Sequence, residues 1–291
     1  MQDQKLGRAL LLLAGMGALG CGNSDLNQSS ELGRLRILGI QADRPEVNPE
    51  IDGSFNVVPI VSDLDGAGRT LSYQLEYCLD PGVSRGADPS CEGDLTRSAA
   101  KTGTFSLVAP YYTGAISPST AGDFSATVPA SILSGRSSVD LFNGVSYLVL
   151  MTVSAEDGTT ETAYRRVIAT TRTTLNLNPS ISALRKEGES SDLLTLPSLG
   201  EEDELSLVPV LGPADEETYS AQTLLGETVS RTEQLTVSWY APQGTFTFLR
   251  TEGDSTNRYQ IDPEATASPF VFAIVRDDRG GIGLLPQVVG Q

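Results

Sequence analysis

Histidine is absent from the 291 residues of this chain. That excludes a Ser-His-Asp triad, a Cys-His nucleophile pair and any His-ligated zinc or haem. Cysteine is nearly absent too: Cys21, Cys78 and Cys91 are too few for a four-thiolate cluster. Cationic residues are scarce, with Lys+Arg 20 against Asp+Glu 37 and a net charge of −17. No basic stripe offsets that charge, so nucleic acid is excluded as a partner. No apolar run reaches the roughly 20 residues that a membrane-spanning helix needs. A P-loop, a GxGxxG turn in a βαβ setting and a GxSxG elbow are all missing. The expectation is therefore a chain with no catalytic residue, no cofactor and no resident metal.

What the chain does have is short strands punctuated by Gly, Pro, Asp and Ser, and no long stretch at helical period. Residues 71–78 (LSYQLEYC) alternate Leu71, Tyr73, Leu75 and Tyr77 with polar partners, a strict period of two. Residues 34–47 place apolar side chains at Leu35 and Ile37, then at Ile40 and Ala42 after Leu38-Gly39. Residues 145–158 are more continuously apolar and end in an acidic turn, with 162–171 as hairpin partner. The second half repeats the order. Residues 180–188 stand where 34–47 stood, and 204–212 match 54–63 through the shared Val58-Pro59-Ile60 and Val208-Pro209-Val210. Residues 235–244 match 71–82, and 269–281 match 146–158.

Four strand types in one order predict a duplicated unit. A proline at matching places strengthens that reading, because proline is confined to strand edges and irregularities. Strands every 8–12 residues, acidic turns and Trp239 on a central strand predict two tandem immunoglobulin-like β-sandwiches, all-β in class. Leu75 is the approximate counterpart of Trp239 in the first unit. The expected domains are residues 34–171 and 172–291, with the boundary near Thr171–Pro179, where Asn178-Pro179 gives a natural break.

The N-terminus carries Lys5 and Arg8 and then one apolar stretch over residues 9–20, the size of a signal-peptide core. Ala18-Leu19-Gly20-Cys21 resembles the lipobox of bacterial lipoproteins, although Ala18 occupies the place where Leu is usual. The resemblance implies that residues 1–20 are removed and that Cys21 is diacylated, becomes the new N-terminus and is N-acylated. Two or three acyl chains anchor durably where one does not. Gly22 in place of Asp implies sorting to the outer membrane. Residues 21–33 then form the lipidated cysteine and a polar tether. Further on, Arg36, Ile37, Leu38, Ile40, Ala42, Pro45, Val47 and Pro49 resemble the opening of uncharacterised myxobacterial-type cell-surface lipoproteins with tandem Ig-like domains. That resemblance implies location and fold and carries no activity.

With Cys21 lipidated, Cys78 and Cys91 are the remaining thiols, and an oxidising envelope predicts a disulfide between them. A loop of that length contributes about 3 kcal/mol in the chain-entropy treatment. Asp63-Leu64-Asp65-Gly66 has the look of a calcium turn, but Gln74 stands where an EF-hand loop has Glu. Asp63 and Asp65 are therefore weak calcium candidates beside the ordinary reading of a hairpin turn. Tyr111-Tyr112, in a Pro/Gly/Ser-rich loop, are candidate ligand contacts. The acidic knots, including Asp215-Glu216-Glu217 and Asp277-Asp278, read as solvated turns. The expected function is a lipid-anchored binding, adhesion or spacer module, meeting the membrane through its anchor and an envelope protein or polysaccharide. The alternatives are an accessory subunit of an exported enzyme or transporter, and a carboxylate-based hydrolase with two close acids.

Overall fold

The computed structural model describes residues 32–80, 90–91, 97–108, 113–115, 124–197, 203–212, 215–261, 270–285 and 288–290. The first half holds β1 (Arg36–Ala42), β2 (Glu46–Val47), β3 (Ser54–Ser62), β4 (Thr70–Leu79) and β5 (Lys101–Ser106). It continues with β6 (Thr113–Ala115), β7 (Ser125–Thr127), a short helix α1 (Ser138–Asn143), β8 (Val145–Ala155) and β9 (Thr160–Ala169). The second half opens with β10 (Ile181–Lys186), β11 (Thr195–Leu196), β12 (Glu204–Leu211), β13 (Thr218–Gln222) and β14 (Thr228–Thr232). Next come β15 (Thr236–Tyr240), β16 (Thr245–Phe246), β17 (Arg250–Glu252) and β18 (Asn257–Gln260). The chain closes with β19 (Phe270–Arg276), β20 (Ile282–Leu284) and β21 (Val288–Gly290).

Each half forms two packed sheets with one strand order, and the second adds the two-stranded β13–β14 sheet. In the first, β1-β3-β6, with β7 also on β3, faces β2-β9-β8-β4-β5. In the second, β10-β12-β18-β16 faces β11-β21-β19-β15-β17, with β20 on β19. In both halves the first strand sits beside the third, and the short second strand joins the opposite sheet parallel to its last strand. This is the immunoglobulin arrangement, built twice. The two inner faces of each half close on a core of their own. One runs from Leu35 to Ala169 and includes Phe55, Tyr73, Tyr77 and Phe124; the other runs from Ile181 to Val288 around Trp239 and Tyr259.

The irregular alternation in the first strand has a cause. The β1–β3 register shifts between Ile37 and Gly39, and the β10–β12 register shifts between Ile181 and Ala183. One added residue moves the inward set from Leu35 and Ile37 to Ile40 and Ala42. The prolines obey the same duplication: Pro59 lies opposite Ile40 and Pro209 opposite Leu184. Pro59 falls between the segments of β3 that pair with β7 and with β6, and Pro209 lies beyond the stretch of β12 paired to β18. Neither ladder needs the missing N–H there. Trp239 is fully buried on β15, and its indole N–H donates to Thr251 Oγ1 at 3.0 Å.

The two sandwiches meet face to face. Leu32, Leu38 and Ile60 of the first pack against Phe270, Phe272, Ile274 and Ile282 of the second in a third buried cluster. That is why β19 is apolar on both faces: Val271, Ala273 and Val275 enter its own core while the alternate residues meet the neighbour. Hydrogen bonds cross the same contact, from Arg276 Nη2 to the Leu38 carbonyl at 2.7 Å and from Asn178 Nδ2 to the Ala42 carbonyl at 2.7 Å. Cys78 and Cys91 are joined by a disulfide with Cα atoms 5.7 Å apart. With Leu148 and Leu150 they cover part of the outer face of β4 and β8.

Candidate functional site at the domain junction

The densest collection of charge lies where the end of the first sandwich meets the turn between β19 and β20. Glu46, buried on β2, accepts from Arg172 Nε at 3.0 Å and from Arg279 Nη2 at 2.6 Å. Its second oxygen also accepts the Asn176 backbone N–H at 2.8 Å. Arg279 Nη1 reaches Glu233 at 2.9 Å and Glu217 at 3.3 Å. Asp277 caps its own turn, accepting from the backbone N–H of Arg279 at 2.9 Å and of Gly281 at 2.6 Å. Asn176 Nδ2 donates to the other Asp277 oxygen at 3.2 Å.

Three carboxylates, Glu46, Glu217 and Glu233, thus converge on two guanidinium groups, with Asp277 beside them. Arg165 stands beside them: its Nη2 lies 3.0 Å from where a Cβ on Gly280 would be, and Gly280 has φ +103°. Its Nε and Nη2 are sealed from solvent without a hydrogen-bond partner, and burial lowers this guanidinium to about 10. Burial, then the Asp277 charge, pushes Glu233 up to about 7, with Arg279 opposing. Burial also raises Glu217 above the usual carboxylate range.

A hairpin closes over this cluster. β13 and β14 pair across five positions, and Asn143 on α1 holds Gln222 by both its amide atoms at 2.7 Å. Arg172 Nη1 donates to the Ser220 carbonyl at 3.0 Å. The Arg279 guanidinium lies 4.4 Å from the Tyr219 ring centre, and Arg172 lies 5.8 Å from that of Phe142. Between hairpin and helix runs a cleft of about 490 Å³, lined by Phe142, Thr174, Glu217, Tyr219 and Arg279 among others. Glu233 does not reach it, its side chain being 1% exposed.

Asp277, expected in a solvated turn, is buried, and Glu217 and Glu233 are drawn into the junction with it. Asp63 is buried with both oxygens taken by Arg69, Nε at 2.7 Å and Nη2 at 2.9 Å. Asp65 lies against Gly33 in the adjoining turn. Cys21, Tyr111 and Tyr112 lie outside the described residues. Glu46, Arg172, Arg279 and the whole β13–β14 hairpin carry no local signal in the sequence. The hairpin strands TYSAQ and TVSRT are five residues each, mostly polar and with no fully buried residue, so their alternation is too short and weak to announce them. Among the described residues no helix is long and apolar enough to cross a membrane.

No protein-family pattern and no curated sequence matches the chain. Among solved structures it is similar to a red sea bream transglutaminase, at 11% identity and TM-score 0.27 over 90% of this chain. The chain spans 32% of that protein's length. It is also similar to the fibronectin(III)-like modules of Clostridium thermocellum CbhA, at 11% identity and TM-score 0.26, covering 87% of this chain and 94% of that one. The D0-D1 domain of intimin gives 10% identity and TM-score 0.22, covering 87% and 98%. Strand order and register carry the fold: a tandem immunoglobulin-like β-sandwich protein.

Proposed function

We propose that this chain is a non-enzymatic binding or spacer module of a bacterial cell envelope. Cys21 carries the lipid anchor, residues 21–33 form the tether, and residues 34–171 and 172–291 are the two modules, held at the outer membrane. The observation supporting this is the junction itself. Two sandwiches share a buried apolar cluster and a buried carboxylate–guanidinium cluster, which suits a body that must keep its shape at the end of a tether. An accessory subunit of an exported enzyme has the same construction and differs in holding one stoichiometric partner.

A carboxylate-based hydrolase has one observation in its favour, the Glu233 carboxyl pushed up to about 7. Glu233 is closed off from the cleft, and Glu217, which does line it, is bridged to Arg279. That leaves no open pair of acids there for the work of a glycosidase. The test is palmitate labelling and cell fractionation of the full chain and of Cys21→Ser, followed by crosslinking in intact cells. The reading expects label in the envelope fraction that disappears with Cys21→Ser. Label that survives the substitution, or a cytoplasmic chain, would overturn it.

A further inference from the structure

The outward face of the sheet β5-β4-β8-β9 carries two complete rows of small polar side chains. Register places Thr104, Ser72, Ser154 and Thr160 side by side in one row. It places Thr102, Gln74, Thr152 and Thr162 in the next. Seven of these eight bear hydroxyls, none is charged, and neighbouring strands space them about 4.8 Å apart. Thr152 bonds Thr162 at 3.0 Å and Ser154 bonds Thr160 at 3.1 Å, so the array is ordered within itself. A shallow groove of about 440 Å³ runs over its β4–β5 side. Tyr164 borders the second row, 43% exposed, its ring steadied by the Arg166 guanidinium at 5.2 Å.

Threonine and serine on a solvent-facing sheet are ordinary, so the comparison within the molecule matters. Register relates each position to one in the second sandwich: Ser72 pairs Ser154, which pairs Thr160, as Thr236 pairs Arg276, which pairs Ile282. At the equivalents of Thr152, Thr160 and Thr162 the second sandwich has Ile274, Ile282 and Leu284. At those of Thr102 and Thr104 it has Arg250 and Glu252. There Ile274, Ile282 and Leu284 form an aliphatic patch that the first sandwich closes. The same face of the duplicated unit is therefore a docking surface in one copy. In the other it is open, and hydroxyls replace its aliphatic centre.

We propose that this open face binds a neutral polysaccharide. Hydroxyls and an amide both donate and accept, matching the hydroxyls of a sugar chain without demanding one polarity. Tyr164 offers an apolar ring to the C–H face of a sugar. A protein partner needs an apolar centre; these two rows hold none, whereas their equivalents hold Ile274, Ile282 and Leu284. An acidic chain finds no cation in the rows and meets a net charge of −17. The inference rests on the binding-module reading and names its ligand.

Affinity electrophoresis of the full chain through gels containing hydroxyethyl cellulose, dextran or polygalacturonate tests it. Retardation by at least one neutral polymer and none by polygalacturonate is expected. Thr102→Glu/Thr162→Glu puts charge at both ends of one exposed row, and Thr102→Ser/Thr162→Ser keeps the hydroxyls. The first should weaken binding about tenfold, the worth of one or two hydrogen bonds, and the second should retain it. Melting temperatures within a degree or two of the wild type show that the fold is kept in both. No retardation by either neutral polymer, preference for polygalacturonate, or equal binding by the Glu variant would each overturn the inference. None of these outcomes bears on palmitate labelling, so the envelope reading stands or falls separately.

Discussion

Glu46 in the first sandwich and Arg279 in the second meet at 2.6 Å, with the carboxylate buried and the guanidinium 9% exposed. The pair joins residues more than two hundred positions apart in the chain, and Glu46 is at the same time the acceptor for Arg172. Removing Glu46 takes from both guanidinium groups the anion they share and leaves Arg279 with Glu217 and Glu233.

Glu46→Ala should therefore destabilise the chain by about 3–5 kcal/mol, the cost of breaking a buried pair from one side. The exposed pair Arg44–Asp52, at 2.6 Å, is the control: Asp52→Ala should move the urea midpoint far less, because solvent screens that pair. Urea midpoints of the two variants decide between them, and equal shifts would contradict the assignment.

The interface between sandwiches should make them unfold together. Phe272 is fully buried in the shared cluster, so Phe272→Ala should cost about 3–5 kcal/mol. Calorimetry of the wild type should show one transition, and the variant should separate into two as the coupling weakens. Two transitions in the wild type would deny the coupling.

Glu233 sets a pH dependence whose sign is unusual for a carboxylate. Its folded value lies above 4.5, at about 7, so the folded chain holds more protons than the unfolded one between these values. Stability from this group is fully present below about pH 4.5 and is lost as the pH rises through about 7. Melting temperature should fall from about pH 5 to pH 8 more steeply in the wild type than in Glu233→Gln. Asp157 runs the other way. Hydrogen bonds from Thr159, then Arg69, hold it at about 2, so its contribution is lost only in acid, below the window of Glu233.

Arg165 keeps two N–H groups sealed from solvent without a partner. Replacing it by Met removes that cost and keeps the apolar stem, so the melting temperature should hold or rise. A fall of several degrees would mean that its attraction to Asp277 outweighs the missing hydrogen bonds.

The Cys78–Cys91 bridge packs with Leu148 and Leu150 on the outer face of β4 and β8. Cys78→Ser/Cys91→Ser should cost about 2–4 kcal/mol. The native chain should take up no alkylating group at these positions when denatured without reductant.

Much of the fold was legible because its causes are local. A period of two in residues 71–78 announces a strand with one face inward, whereas the offset between Ile37 and Ile40 found its cause, a register shift, only in the structure. The paired prolines Pro59 and Pro209 mark a duplication that the registers then repeat residue by residue. The β13–β14 hairpin was not legible, because two five-residue, mostly polar strands with only half-buried inward residues leave too weak an alternation. The junction was not legible either. Asp277 and Glu217 look like any acids in a turn until Arg279 and Glu46 are brought to them.

The amino-acid order by itself determined the all-β class, the doubled strand plan, the turn positions and the paucity of cations. These follow from backbone preference and from which side chains leave water, both settled within a strand or a hairpin. The tertiary structure alone decided that the outer face of β19 packs on the first sandwich while the hydroxyl rows of β4, β5, β8 and β9 stay open. It alone gathered Glu46, Arg172, Glu217, Glu233, Asp277 and Arg279 at one point. The reason is distance along the chain. A charge is stable in a buried site only where its partner already stands, and no period in the sequence records which distant residue that will be.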